Sequence, residues 1–385
     1  MSTQQPIRTS QSCAADAREA VREFHASVAH AEMALVMFFC SIDYDLDAVA
    51  DEMRRLFGNT PVVGCTTAGE IGPAGYRGQS ISGASFPAGS CTAVTGHLDC
   101  LRQFEMTRGQ AFTQSLLHRL QAMAPGADPH NSFAFLLIDG MSVREEPVTR
   151  SLQMTLGRLP MFGGSAGDGL KFAATQVFHD GSFHEDSAVL VVATTALPFR
   201  IFKTQHFIST DERMVVTEAD ADARIVREIN GLPAAQEYAR MVGVDVDDLD
   251  PMRFAASPVV VLIDGMDYVR SIQKANPDGS LTFYCAIEEG LVLRVARGVD
   301  LVENLVEALE RVEAEIGRPQ VVFGCDCILR QLEIVQCGLR ERVSEVLGKY
   351  NTVGFNTYGE QFGGVHVNQT FTGIAIGSPK EAGNG

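Results

Sequence analysis

The chain has 385 residues, 45% of them hydrophobic, which is enough for two domains each with its own core. Its formal charge of −17 and pI near 4.9 repel polyanions at long range, so neither nucleic acid nor an anionic membrane surface is an expected partner. No run approaches the ~18 apolar residues of a spanning helix, and the opening MSTQQPIRTSQSC lacks a signal-peptide core, so the expected location is the cytoplasm.

In chain order, residues 1–15 are polar and expected to be disordered, and ADAREAVREFHASVAH reads as a helix. ALVMFFCS is a buried strand. DLDAVADEMRRLFG is a helix with Asp45 as N-cap, Leu46, Val49, Met53, Leu56 and Phe57 on one face, and Gly58 as C-cap. TPVVGCTT completes a strand, helix, strand unit and ends in a turn carrying Gly69 and Glu70. Further on, TQVFHDGSFHEDSAVLVVA is hairpin-like, with Asp180-Gly181 at its turn. EINGLPAAQEYARMVG reads as strand, Asn230-Gly231 turn and a helix begun near Pro233. DLVENLVEALERVEAEIG is an amphipathic helix with Leu301, Leu305, Leu309, Val312 and Ile316 aligned. RPQVVFGCDC, QLEIVQCGLRERVSEVLGKY and NTVGFNTYGE then repeat the strand, helix, strand plan, and the tail after Ile376 is expected to be flexible.

Two strings recur. V-G-x-x-T-x-G-E occurs at 63–70 and 353–360, so Gly64, Thr67, Gly69 and Glu70 return as Gly354, Thr357, Gly359 and Glu360. LIDGM occurs at 137–141 and 262–266, each time closing an apolar strand. The order of the two strings is reversed between the halves, so the halves share parts without forming a clean tandem repeat. The fold class expected is α/β, two related domains of mixed sheets with covering helices.

VVGCTTAGEIG, LLIDGM, FGGSAGDG, EINGLPAAQEY, GCDCILR and VGFNTYGEQ…HVNQTFTGIAIG resemble the FIST family, sensory modules with an N-terminal and a C-terminal FIST domain. The second-half wording, including YVRSIQK, DGSLTFYCAIEEG and CDCILR, is most similar to the bacterial nitric-oxide-sensing FIST haemoproteins. The resemblance implies a FIST N-type domain over 16–218, a FIST C-type domain over 219–378 and a flexible tail over 379–385. It further implies non-covalent haem b, nitric oxide as ligand, and a histidine kinase or cyclic-di-GMP enzyme as signalling partner, with homo-oligomerisation left open. It places Ser165, Asp168, Arg270 and Asn368 as pocket residues.

The residues add their own candidates. Each G-x-x-T-x-G-E turn sets a hydroxyl and a carboxylate beside glycines at a strand's carboxyl end, where open α/β sheets bind ligands. Thr67, Glu70, Thr357 and Glu360 therefore either line a pocket or cap their own turns. GGSAGDG lacks the Gly-Lys-Ser/Thr ending of a phosphate loop and reads as a glycine turn. Nine cysteines in apolar segments suit reduced thiols. Cys325 and Cys327 share one strand face with Asp326 on the other; Cys65 and Cys325 are expected to line the ligand pocket, and either would serve a cysteine hydrolase, the enzymatic alternative. No nucleophile elbow, zincin, dinucleotide or Walker motif supports an enzyme. A haem-free module binding an amino acid or other small metabolite is the remaining alternative. For haem, the absence of C-x-x-C-H leaves a non-covalent histidine. His206 would share a face with Phe202, Thr204 and Ile208, and His366, in the more polar GGVHVNQTF, is its rival.

Overall fold

The computed structural model describes residues 5–379 except residue 264 and the Met266 side chain, so the ends of both tails and the Asp of the second LIDGM lie outside the described residues. Three units with one plan account for most of these residues. Repeat 1 runs β1 (Arg8–Ser12), α1 (Ala17–Val28), β2 (Met33–Ser41), α2 (Leu46–Phe57), β3 (Val62–Thr67), the hairpin β4 (Glu70–Gly72) and β5 (Gly75–Arg77), and β6 (Ile81–Pro87). Repeat 2 runs β7 (Cys91–Leu98), α3 (Met106–Met123), β8 (Ser132–Ile138), α4 (Glu145–Leu156), β9 (Met161–Ser165), the hairpin β10 (Val177–His179) and β11 (Ser182–His184), and β12 (Ala188–Thr195). Repeat 3 opens with β13 (Phe199–Thr204) and is then interrupted.

The interruption is β14 (Phe207–Asp220), β15 (Ile225–Ile229), β16 (Leu232–Pro233), α5 (Ala234–Val242), α6 (Pro251–Ala256), β17 (Val259–Ile263), β18 (Met266–Arg270), β19 (Ile272–Ala275), β20 (Leu281–Phe283) and β21 (Val292–Gly298), which form their own sheet. Repeat 3 resumes with α7 (Leu301–Ile316), β22 (Pro319–Cys327), α8 (Ile328–Gln336), α9 (Arg340–Lys349), β23 (Thr352–Thr357), the hairpin β24 (Glu360–Phe362) and β25 (Val365–Val367), and β26 (Phe371–Gly377).

Each repeat gives its hairpin away. β4–β5 pairs with β23, β24–β25 with β9, and β10–β11 with β3, so the three sheets are closed into a ring by exchange. The register is the same each time: Ile71 faces Gly354, Gln361 faces Gly163 and Phe178 faces Gly64. These three glycines have one physical cause. A Cβ on Gly64, Gly163 or Gly354 would lie 2.5, 2.1 or 1.9 Å from the carbonyl oxygen of the neighbouring parallel strand. FGGSAGDG is thus the third copy of the opening turn, one residue shorter and ending in Asp168. The second LIDGM closes β17 of the inserted sheet, not a repeat strand.

Alternation along the central strands splits the core into layers. Leu35, Met37 and Phe39, Phe133, Phe135 and Leu137, and Val321, Phe323 and Cys325 face one shared interior, where Phe39 stacks on Phe355 at 4.5 Å. The opposite sheet faces bury each repeat's own helices, and the inserted sheet has a separate core around Met214, Tyr238, Phe254 and Leu293. Helix starts follow the expected chemistry: Asp45 accepts from Ala48 N–H and Asp300 from Glu303 N–H.

Two expectations are corrected here. Residues 8–12, read as disordered, form β1, paired with β6 from Arg8↔Ser85 to Ser12↔Ile81. The strand is polar because its partners are polar: Thr9 donates to Asn351 at 2.8 Å and Gln11 to Ser80 at 3.1 Å, while Ile7 enters the shared core. A domain boundary at 218/219 would cut β14, whereas the sheets divide between β13 and β14 and between β21 and α7.

Candidate functional site

The strand ends of the three repeats meet in a ring of backbone hydrogen bonds. Asn356 N–H donates to Gly69 O and Ala68 N–H to Asn356 O; Ser165 N–H donates to Gly359 O; Gly167 N–H donates to Thr66 O. Every turn residue singled out from the sequence lies at this junction, but not in a cavity. Thr67 donates to Glu70 Oε1 and Ser80 to Oε2 at 2.8 Å. Thr357 donates to Glu360 Oε1 and Thr370 to Oε2 at 2.7 Å, so the two copies match even at the second hydroxyl. Both carboxyls are fully buried, and burial pushes each up to about 8 against these hydrogen bonds. They are neutral acids that tie the turns, which is the second of the two sequence readings.

Asp168 is different because the shortened third turn bends its carboxylate toward backbone. It accepts from Phe172, Ala173 and Ala174 N–H at 2.8–2.9 Å and from the Tyr358 hydroxyl. Burial opposes ionisation, but Tyr358 and the three N–H groups outweigh it and hold the carboxyl below its usual range. Ser165 accepts from Gln361 Nε2 at 3.0 Å, and Arg270 reaches His366 O at 3.2 Å.

Cys65 and Cys325 belong to the shared apolar core, where burial drives both thiols far above the usual range. Neither has a histidine partner among the described residues, so the thiolate a cysteine hydrolase needs is disfavoured at both. Cys327 is equally buried.

His206 does not face an apolar cavity. Its Nε2 meets Glu333 at 2.9 Å, and its Nδ1 accepts from Arg330 at 3.0 Å; Arg330 donates to Asp326 at 2.8 Å, which accepts from Tyr76 at 2.6 Å. Both ring nitrogens are taken, so His206 is a member of a buried polar chain, not an axial ligand. The alternation that suggested otherwise breaks at 205–206, between two sheets, and Ile208 is 46% exposed. His366 replaces Tyr76 at the equivalent hairpin position and has no Arg–Asp pair to meet. Its Nδ1 contacts Gln361 at 3.3 Å, whereas its Nε2 and both amide atoms of Asn368 are buried without partners. Gly359 makes room for this group, since a Cβ there would lie 2.7 Å from His366 Nε2 and 3.0 Å from Asn368 Nδ2.

Beside it, where repeats 2 and 3 meet the inserted sheet, lies a cavity of about 150 Å³ lined by Met141, Glu145, Phe172, Arg224, Tyr284 and Tyr358, among others. Arg224 Nη2 pairs with Glu145 at 2.8 Å and Glu146 at 2.6 Å, and its Nη1 donates to Tyr284 O at 2.6 Å. Glu146 also accepts from Ala286 N–H at 2.7 Å. Phe172 stacks on Tyr358 at 4.6 Å and approaches Tyr284 at 6.1 Å. Val143, Phe172 and Arg224, all lining this cavity, have φ of 56, 50 and 56°, each a left-handed backbone costing ~1 kcal/mol or more for such residues. Sequence reasoning missed these residues. The one signal available was Tyr358, which stands where the first turn has Ala68.

Larger clefts, of about 640 and 460 Å³, lie on the outer face of repeats 1 and 2, away from the turns. The second is lined by His97, His179, His184, Phe112, Leu116 and Arg119 among others, with the His97 and His184 rings 4.2 Å apart.

A FIST N domain matches residues 34–232 and a FIST C domain residues 234–363. The chain belongs to the FIST family. The two matched segments meet at β16, within the inserted sheet: the FIST N match runs from β2 of repeat 1 through repeat 2 to β13–β15, and the FIST C match from α5 to β24 of repeat 3. No curated protein is similar enough to stand as a relative. Among solved structures, a cyanuric acid hydrolase from A. caulinodans is 10% identical with a TM-score of 0.41, covering 97% of this chain and 99% of its own. A second cyanuric acid hydrolase, described by its title as an evolutionary innovation by structural concatenation, is 11% identical with a TM-score of 0.34, covering 97% and 100%. Among the described residues no helix is long and apolar enough to cross a membrane.

Proposed function

We propose that this FIST protein is a sensor whose ligand is a small metabolite held at the junction of repeats 2 and 3 with the inserted sheet. The observation that carries the reading is the 150 Å³ cavity with strained, non-glycine lining residues. The inserted sheet is held to repeat 2 by Arg224 and Ala286 on Glu145 and Glu146, so a ligand that draws on these groups changes how the sheet is held. A histidine kinase or cyclic-di-GMP enzyme reading that sheet would receive the signal.

A second reading is haem with nitric oxide. Neither His206 nor the 150 Å³ cavity near His366 suits haem, since drug-sized ligands already occupy ~300–1,000 Å³. The 460 Å³ cleft favours it instead: His97 and His184 use only Nε2 in hydrogen bonds, Phe112 and Leu116 give apolar area, and Arg119 offers a carboxylate partner. Haem bound there would supply an iron to which nitric oxide coordinates.

One preparation separates the readings. Protein purified with haem supplied, then desalted, is examined by absorption spectroscopy with and without nitric oxide, and haem-free protein is melted against a panel of small metabolites. A rise in melting temperature with one metabolite class, lost in Tyr284→Leu, supports the junction site. A retained Soret band that responds to nitric oxide and disappears in His97→Ala or His184→Ala supports the cleft. No shift with any metabolite refutes the first reading.

A further inference from the structure

We infer that the junction cavity selects a small organic cation, an alkylammonium with an apolar body; the inference rests on the cavity reading proposed above and specifies its ligand class.

Three aromatic rings, Phe172, Tyr284 and Tyr358, contribute to one cavity. A cation over such faces is attracted by the negative face of each ring, most strongly where water is excluded. Tyr358 is the best placed of them: its hydroxyl donates to the Asp168 carboxylate, and that bond pushes electron density into the ring. Charge points the same way. The one guanidinium on the lining, Arg224, is bound by two carboxylates, Glu145 at 2.8 Å and Glu146 at 2.6 Å, so the triad carries a surplus negative charge. Asp168 adds another directly behind Tyr358. His366, near the same carboxylates, is kept toward its neutral form by burial; Arg270, on His366 O at 3.2 Å, balances part of the surplus but stands off the lining, where Glu145 is placed.

An anion would meet this surplus and find Arg224 already occupied. A neutral ligand would gain at most hydrogen bonds from the carboxylates, without the charge attraction. Size sets the scale: cavities of about 150 Å³ hold a benzene-sized molecule. Choline, tetramethylammonium and benzyltrimethylammonium bracket that volume, and Met141 supplies a polarisable thioether for N-methyl groups.

The test is isothermal titration of the full-length, haem-free protein with choline and benzyltrimethylammonium. 3,3-Dimethylbutanol, choline's neutral isostere, and propionate, an anion of similar size, serve as controls. We expect saturable binding of at least one cation, with the neutral isostere and the anion at least tenfold weaker. Tyr284→Leu and Phe172→Leu, both on the half-buried rim, should each weaken the cation at least fivefold in protein that circular dichroism shows to be folded at the titration temperature. Equal affinity for 3,3-dimethylbutanol overturns the cation class and leaves the cavity reading standing. Cation binding that is unaffected in both rim variants overturns the placement. If none of these probes and no metabolite of the wider panel binds, the cavity reading itself falls.

Discussion

Replacing Glu70 and Glu360 by Gln tests whether the two turn carboxyls are stored in the neutral form. Each is fully buried, accepts from two hydroxyls, and is raised by burial from 4.5 to about 8. For a folded value raised above the unfolded one, the stabilisation is complete below the unfolded pKa of ~4.3. Between there and about 8 the unfolded chain has lost a proton that the folded chain keeps, so stability falls as pH rises and levels off above about 8. At ~1.4 kcal/mol for each tenfold change, the loss is at most about 5 kcal/mol per carboxyl.

Gln has the shape of the neutral acid and cannot ionise. Its extra N–H finds only a hydroxyl already in use, which costs about 1 kcal/mol at pH 5. Urea unfolding from pH 5 to 8.5 should therefore show the wild type falling steeply, each single variant falling about half as much, and the double variant nearly level. At pH 8 the double variant should equal or exceed the wild type. His206 and His366 are held low by burial and act in the opposite sense near pH 6, but they are common to all four proteins and cancel in the comparison. A double variant whose stability falls with pH as steeply as the wild type would refute the neutral-carboxyl reasoning.

Asp326→Asn removes the charge that faces Arg330 inside the Tyr76–Asp326–Arg330–His206 chain, leaving a guanidinium 1% exposed without its counter-ion; urea unfolding should register a loss of about 3–5 kcal/mol. Gly359→Ala places a Cβ 2.3 Å from His366 Cε1, so the ring must move, and melting should show a loss of about 2 kcal/mol or more. By contrast, Gly58→Ala meets no neighbour within 4 Å, so its cost, about 1–3 kcal/mol, comes from the backbone alone: φ +55° with ψ −119° lies outside the left-handed region open to Ala. Thiol titration of the native protein should label Cys13, Cys100 and Cys337, which are exposed, and reach the other cysteines only on unfolding. Fast labelling of Cys65 or Cys325 in the native protein would reopen the hydrolase alternative.

What the sequence carried, and what it hid, can be traced to particular residues. The opening turn and its second copy were readable because one offset holds from Gly64 and Gly354 through Glu70 and Glu360 to Ser80 and Thr370, with the same chemistry at each step. The third copy was present as Gly163 but disguised. One residue fewer before Asp168 turns the acid toward three backbone N–H groups and a single hydroxyl, that of Tyr358, so the string no longer matches although the strand register does. Periodicity could not report the hairpin exchange either, because a strand of three residues carries the same pattern whichever sheet receives it.

The candidate cavity was hidden for a related reason. Its parts come from the α4 start, the loop after β9, the inserted sheet and the β23 turn, none of which are neighbours in sequence. The point where the copies diverge is also where it forms. At the repeat 1 and 3 contact, Tyr76 donates to Asp326, which also accepts from Arg330. At the repeat 2 and 3 contact, the same position is His366, nothing like Asp326–Arg330 meets it, and the inserted sheet brings Arg224 and Tyr284 alongside. A ring whose contacts were all alike would have no reason to bind at one of them. The exchange of Tyr76 for His366, together with the insertion after β13, distinguishes the two junctions: one is tied by the buried Asp326–Arg330 pair, and the other is where the proposed ligand cavity lies.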